Sequence, residues 1–114
     1  MQLGPVVHIS DDGQSAQIRV RLLVMFGQDG RSAQWGEGIY ENTFVKDNGV
    51  WKYNNLHGYQ TFYTNYEDGW AKKASAMFSP FPGYPPDGPQ SVAYDPYPAL
   101  FTPPFHYKNP VTGK

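Results

Sequence analysis

The chain has 114 residues, nine of them basic, ten acidic and none cysteine, which bounds it to one domain and excludes a disulfide framework or thiolate chemistry. A net charge of −1, with no block of either sign, argues against a nucleic-acid or anionic-membrane surface. No apolar run approaches a membrane span, and Met1 to Pro5 carry no basic and apolar leader, so the expectation is a soluble, cytoplasmic protein.

In chain order, Val6 to Ile9 reads as a short first strand, closed by the turn residues Asp11, Asp12 and Gly13. Ile18, Val20, Leu22, Val24 and Phe26 then occupy every second position, the period of a strand with one buried face. Asp29-Gly30 turns the chain into a second long run, Arg31 to Lys46, which ends at Asn48-Gly49. Both dipeptides suit turns that need positive φ. From Val50 to about Asn65 the sequence is dense in Trp51, Tyr53, Tyr59, Phe62 and Tyr63, as strands are. The fold class expected is mainly β, an up-and-down antiparallel meander. Runs this long must twist, and Gly36 and Gly38 mark a bulge or a close approach of another group, so the sheet is expected to be strongly curved with a concave side.

If both turns have two residues, counting places Arg19, Tyr40 and His57 across three adjacent strands on one face, with Arg21 and Tyr59 flanking them. The other face then collects Ile18, Val20, Leu22, Val24, Phe26, Trp35, Ile39, Leu56 and Phe62, with Glu37 and Gln60 among them. Both faces need covering, yet the one helix candidate is a weak one near Trp70 to Met77. Beyond Ser79 lie ten of the eleven prolines, punctuated by aromatic residues such as Tyr94, Tyr97, Phe101, Phe105 and Tyr107. That composition excludes sheet interior but is unlike a disordered linker. The expected organisation is a sheet domain over 1–78 and an extended arm over 79–114 that lies on folded surface. A core drawn from so few residues is marginal, which favours association with another chain.

His57 is the leading chemical candidate, because it titrates near neutrality within a tyrosine-rich sheet. Tyr40, Tyr59, Glu37 and Glu41 are its local partners by sequence. Glu37 stands between two glycines, where a buried carboxylate would serve as an acid or base. Arg19 and Arg21 are candidates for an anionic group of a ligand, and Trp35 for its apolar part. His8 is a weaker candidate, and His106, in the arm, reads as a packing residue. Three dispersed histidines without cysteine argue against a transition-metal site. There is also no phosphate-cradling glycine loop and no nucleophile elbow.

Four stretches occur in order: Phe26-Gly27-Gln28, then Trp35 to Asn42, then Gly49 to Tyr53, then Leu56 to Tyr63. Together they resemble the C-terminal half of a SnoaL-like protein of the NTF2-like superfamily, whose α+β barrel folds as a cone. The tail from Tyr94 to Pro110 is similar to the extended C-terminal segment of one bacterial branch. The resemblance implies the sheet half of such a barrel, since relatives carry helices before the segment resembling Leu3 to Ile9. It also implies dimerisation through the sheet, with the arm reaching toward a partner. His57, Tyr40, Glu37 and Tyr59 are then expected at or near a pocket wall.

What the resemblance implies for function is a small-molecule pocket. One reading is cofactor-free dehydration, isomerisation or cyclisation of an apolar polyketide-like or steroid-like compound. His57, Glu37 and Tyr40 would then be catalytic, and Tyr59, Arg19, Trp35 and Arg21 would bind the ligand. The alternative is a non-catalytic module that binds a ligand or assembles as a homodimer or higher oligomer, or a family fragment that takes its helices from a partner.

Overall fold

The computed structural model describes residues 1–73 and 83–114. These form five strands and no helix: β1 (Gln2–Ile9), β2 (Ser15–Gln28), β3 (Ser32–Asp47), β4 (Val50–Asn55) and β5 (Gly58–Asn65). The strands make one antiparallel sheet in the order β1-β2-β3-β4, and β5 also pairs with β3. The aromatic run after Asn48-Gly49 is therefore two strands, interrupted at Leu56-His57. Where a weak helix is expected, residues 70–73 form turns; the rest of that stretch, through Met77, lies outside the described residues.

β1 is longer than its apolar pattern suggests. Leu3 pairs with Arg21 and Val6 with Arg19, so β1 carries one residue more than β2 over that interval. Gly4, at φ +58°, supplies the left-handed conformation of this bulge. Pro5 has no N–H to donate and is tolerated because it falls in a bulge of an edge strand.

The two tight turns differ. Asp47 pairs with Val50, and both Asn48 (φ 51°) and Gly49 (φ 81°) are left-handed, which defines a two-residue type I′ hairpin. At the other turn Asp29, Gly30 and Arg31 all lie outside the strands. Arg31 N donates to Gln28 O at 2.9 Å, and of the two residues between them only Gly30 (φ 66°) is left-handed. A connection of three residues rather than two moves the register by one, and a slip of one turns every side chain over. Glu41, not Tyr40, accordingly shares a face with Arg19, as their ion pair shows.

Contacts divide the chain into two compact units: Met1–Leu23, Gly38–Tyr59 and Pro103–Lys114 form the first, and Val24–Glu37 with Gln60–Thr102 the second. The buried residues of the first unit are Ala16, Arg19, Val20, Gly38, Asn42, Tyr59 and Pro103, a set with two polar side chains, Arg19 and Asn42, where a core is usually apolar. Its part of the arm, Pro103 to Tyr107, packs on β2 through Arg19, whose guanidinium carbon lies 3.8 Å from the Phe105 ring centroid.

In the second unit an aromatic chain runs from Trp35 to Phe62 (5.3 Å between centroids), Phe62 to Trp70 (5.9 Å) and Trp70 to Tyr97 (5.0 Å). The arm is tied to β5 there. Tyr97 N donates to Thr61 O at 2.7 Å, and the Tyr94 hydroxyl accepts from Gln60 N at 2.6 Å. Gly36 is the close approach that its place in a strand suggests: a Cβ there would sit 2.8 Å from both Phe62 O and Tyr63 Cδ2.

Candidate functional site

The first unit places Tyr40, His57 and Tyr59 around one glycine. A Cβ on Gly58 would lie 2.8 Å from Cε1 of Tyr40, so the missing side chain at position 58 is what admits the Tyr40 ring. On either side of that glycine in the chain, the His57 and Tyr59 rings lie 4.5 Å apart at an interplanar angle of 30°. Asn42 fixes the backbone here. Its amide, on a residue 2% exposed, accepts from His57 N at 3.0 Å through Oδ1. One residue earlier, Glu41 N donates to His57 O at 2.9 Å. The break between β4 and β5 is thus held to β3 by both main-chain polar groups of His57.

Arg19 and Glu41 occupy a second cluster of the same unit. Their side chains are ion-paired and nearly buried, and Arg19 Nη1 also donates to the carbonyls of Pro104 at 3.1 Å and, less closely, Pro103. The guanidinium charge is therefore committed to a carboxylate and to the arm. His106 Nδ1 reaches the other Glu41 oxygen at 2.7 Å, and His106 Nε2 lies 2.8 Å from His8 Nδ1. Arg21 is exposed on β2.

The second unit holds Trp35 and Glu37. Trp35 packs edge-on against Phe62, and its Nε1 is buried without a hydrogen-bond partner. Glu37 is half-buried between buried Gly36 and Gly38. An open hollow of about 460 Å³ lies at the β2–β3 hairpin of this unit, lined by Gly27 to Ala33 and Glu67; it contains none of the candidate side chains. Among the described residues no three His, Cys, Asp or Glu side chains are disposed to hold a metal ion.

A family model described as a SnoaL-like domain matches residues 1–57, half of the chain. The chain belongs to the SnoaL-like family. The all-strand, antiparallel sheet is the one expected for the sheet half of an NTF2-like fold, a superfamily with small-molecule-binding and isomerase or cyclase members. No curated protein matches the chain. The part of this SnoaL-like chain that the family model covers includes Arg19, Tyr40, Glu41 and His57, but not Tyr59 or the arm.

Two residues take other partners than the sequence suggests. Glu41 is expected as a local partner of His57, and the assumed two-residue turn puts it on the face away from Arg19, with which it pairs. His106 lies 65 positions from Glu41 in the chain, in a segment with no periodicity, so no local signal couples them.

Proposed function

We propose that this SnoaL-like protein binds a small, largely apolar polyketide-like or steroid-like compound and moves a proton on it without a cofactor. The chemistry is dehydration, isomerisation or cyclisation, with His57 as the proton carrier. Tyr40 and Tyr59 orient a substrate oxygen. Arg21, exposed on β2, is the ligand-binding cation of the same unit. The observation that supports this reading is the Gly58 junction, where Tyr40 covers the glycine between His57 and Tyr59. A titratable imidazole and two phenols within a half-buried aromatic patch are the groups that proton transfer on an apolar ketone needs.

The test is hydrogen–deuterium exchange at the carbon beside the carbonyl of apolar polycyclic ketones in D₂O, followed by NMR, with native mass spectrometry to detect retained ligand. Exchange that His57→Gln abolishes, with the fold intact by circular dichroism, supports the assignment. Exchange equal in the variant removes His57 from the mechanism, and the absence of both exchange and retained ligand overturns the reading.

A second reading is a homo-oligomeric binding or assembly module. What favours it is the apolar surface left open on the edge strands: Val7 and Ile9 of β1, and Trp51 and Tyr53 of β4, are all exposed, and no large described side chain is fully buried. Such surface is typical of chains that associate. Mass by light scattering across a dilution series decides it: a persistent dimer or higher oligomer supports it, and a monomer at every concentration removes it.

A further inference from the structure

Away from the Gly58 junction, the first unit contains a line of polar groups that runs from a buried end to an exposed one. Arg19 pairs with Glu41, Glu41 Oε2 lies 2.7 Å from His106 Nδ1, and His106 Nε2 lies 2.8 Å from His8 Nδ1. The Glu41 and His106 side chains are 11% and 8% exposed, whereas His8, on edge strand β1, is exposed. The rings of His8 and His106 meet edge to face, and the Tyr107 ring stands 5.1 Å from that of His8.

With Glu41 ionised and both imidazoles neutral, these contacts fix where the protons sit. A carboxylate only accepts, so His106 Nδ1 carries a hydrogen for Glu41. In neutral His106 the other nitrogen, Nε2, is then a lone pair, and the 2.8 Å contact requires His8 to donate from Nδ1. His8 Nε2 is left as a bare lone pair on an exposed residue. When that nitrogen takes a proton, the hydrogen on His8 Nδ1 passes to His106 Nε2. The positive charge then rests on His106 beside Glu41, and His8 Nε2 has become a donor. One proton taken up converts the outermost atom from a base into an acid, with the charge stored one residue inward beside a carboxylate. Arg19 balances that carboxylate while the pair is neutral.

We propose that His8 is a catalytic acid–base residue, and that His106 and Glu41 are positioning residues that set its tautomer and hold the displaced proton. The substrate class is a compound with an acidified C–H bond that reaches the exposed edge of His8. In the step, His8 Nε2 takes the proton from carbon and the C–H electron pair moves into the substrate. The transferred proton is then available to the leaving or rearranged atom. This site uses none of His57, Tyr40 and Tyr59, touches the Gly58 junction only through the main-chain N–H of Glu41, and does not rest on the role of His57.

The probe is 5-nitrobenzisoxazole: a base removes the proton on C3, the C–H pair becomes the third bond of a nitrile, and the N–O bond breaks to release a coloured phenolate. The unmodified protein is expected to open the ring, His8→Gln to lose that rate, and His106→Gln and Glu41→Gln to lower it by roughly tenfold or more. Long-range ¹H–¹⁵N spectra of the unmodified protein give a readout independent of any variant's folding. Both His8 and His106 are expected with hydrogen on Nδ1 and none on Nε2 while the pair is neutral. A hydrogen on Nε2 of His8 while both imidazoles are neutral, a rate unchanged in His8→Gln, or a His8 rate indifferent to His106→Gln overturns the proposal.

Discussion

His106 Nδ1 lies 2.7 Å from Glu41 Oε2, and this contact anchors the last part of the proline-rich arm on β3. The arm forms no strand of the sheet in its described residues. It is fixed by a few strong contacts: this one, the Arg19 bonds to Pro103 and Pro104, and the Phe105 ring over the guanidinium. In the second unit Tyr94 and Tyr97 do the same on β5. An extended segment rich in proline has little conformational entropy to lose, so a few such contacts suffice to order it.

Glu41 is therefore expected to matter more than its single charge suggests. Glu41→Ala leaves Arg19 nearly buried with two carbonyls and the Phe105 ring but no counter-charge beside it, and removes the acceptor of His106. Breaking a buried pair from one side costs about 3 kcal/mol. Urea denaturation should show that loss, whereas Lys52→Met, which breaks the exposed pair with Asp47, should leave the midpoint almost unmoved. Equal midpoints for the two variants would mean that the Arg19–Glu41 pair carries no stability.

Gly36→Ala and Gly27→Ala make a matched pair on the two long strands. At position 36 the new methyl group meets the Phe62 carbonyl, main chain that cannot swing away, and the Tyr63 ring, both at 2.8 Å; at position 27 nothing lies within 4 Å. Overpacking of this kind costs about 1–3 kcal/mol, and Gly27→Ala should stay within about 0.5 kcal/mol. Thermal melts of the two variants check the difference.

The strands were legible because β2 alternates over a long stretch and because Asn48-Gly49 and Gly30 each meet a backbone demand for positive φ. Gly36 was legible for a similar reason, since a strand glycine without a turn role implies a close neighbour. The face of Glu41 was not, because Asp29-Gly30 fits a two-residue and a three-residue connection equally well, and the choice between them decides which residue opposes Arg19. Pro5 hid the first half of β1, since a proline argues against a strand unless a bulge is already known. The pairing of His106 with Glu41 and His8 depends on where an aperiodic arm lands, and neither spacing nor composition encodes that.

Asn42→Ala tests how His57 is held. Asn42 is almost completely buried, and its Oδ1 is the acceptor for His57 N. Its loss leaves a main-chain N–H unsatisfied in a half-buried strand break, a cost of about 1–3 kcal/mol. Hydrogen exchange followed by NMR should show the His57 amide losing protection while the Asp47–Val50 hairpin keeps its own. Unchanged protection at His57 would show that the junction does not depend on Asn42.

Asp12 makes a pH prediction. The Ser10 hydroxyl donates to Oδ1 at 2.6 Å and Gln14 N at 3.0 Å, and these bonds hold the carboxyl below its ordinary value of 3.8. A carboxyl whose pKa is depressed by folding adds stability above its unfolded pKa and loses it as the pH falls through the folded one. Ser10→Ala should move the Asp12 pKa upward in an NMR titration. The stability gap between variant and parent should narrow as the pH drops through that range.

Arg19→Lys separates charge from geometry. The guanidinium serves Glu41, the carbonyls of Pro103 and Pro104, and the face of Phe105. An ammonium keeps the charge but has no planar group to lie on the ring, and it is more strongly hydrated. The lysine variant should keep the sheet, because β2 and β3 pair through their main chains, and loosen the arm from Pro103 onward. Limited proteolysis should then clip the variant at Lys108 well before the parent, with circular dichroism in the strand region unchanged. Equal protection of Lys108 in both proteins would show that positive charge alone seats the arm, and that the fork and the ring contact add nothing to it.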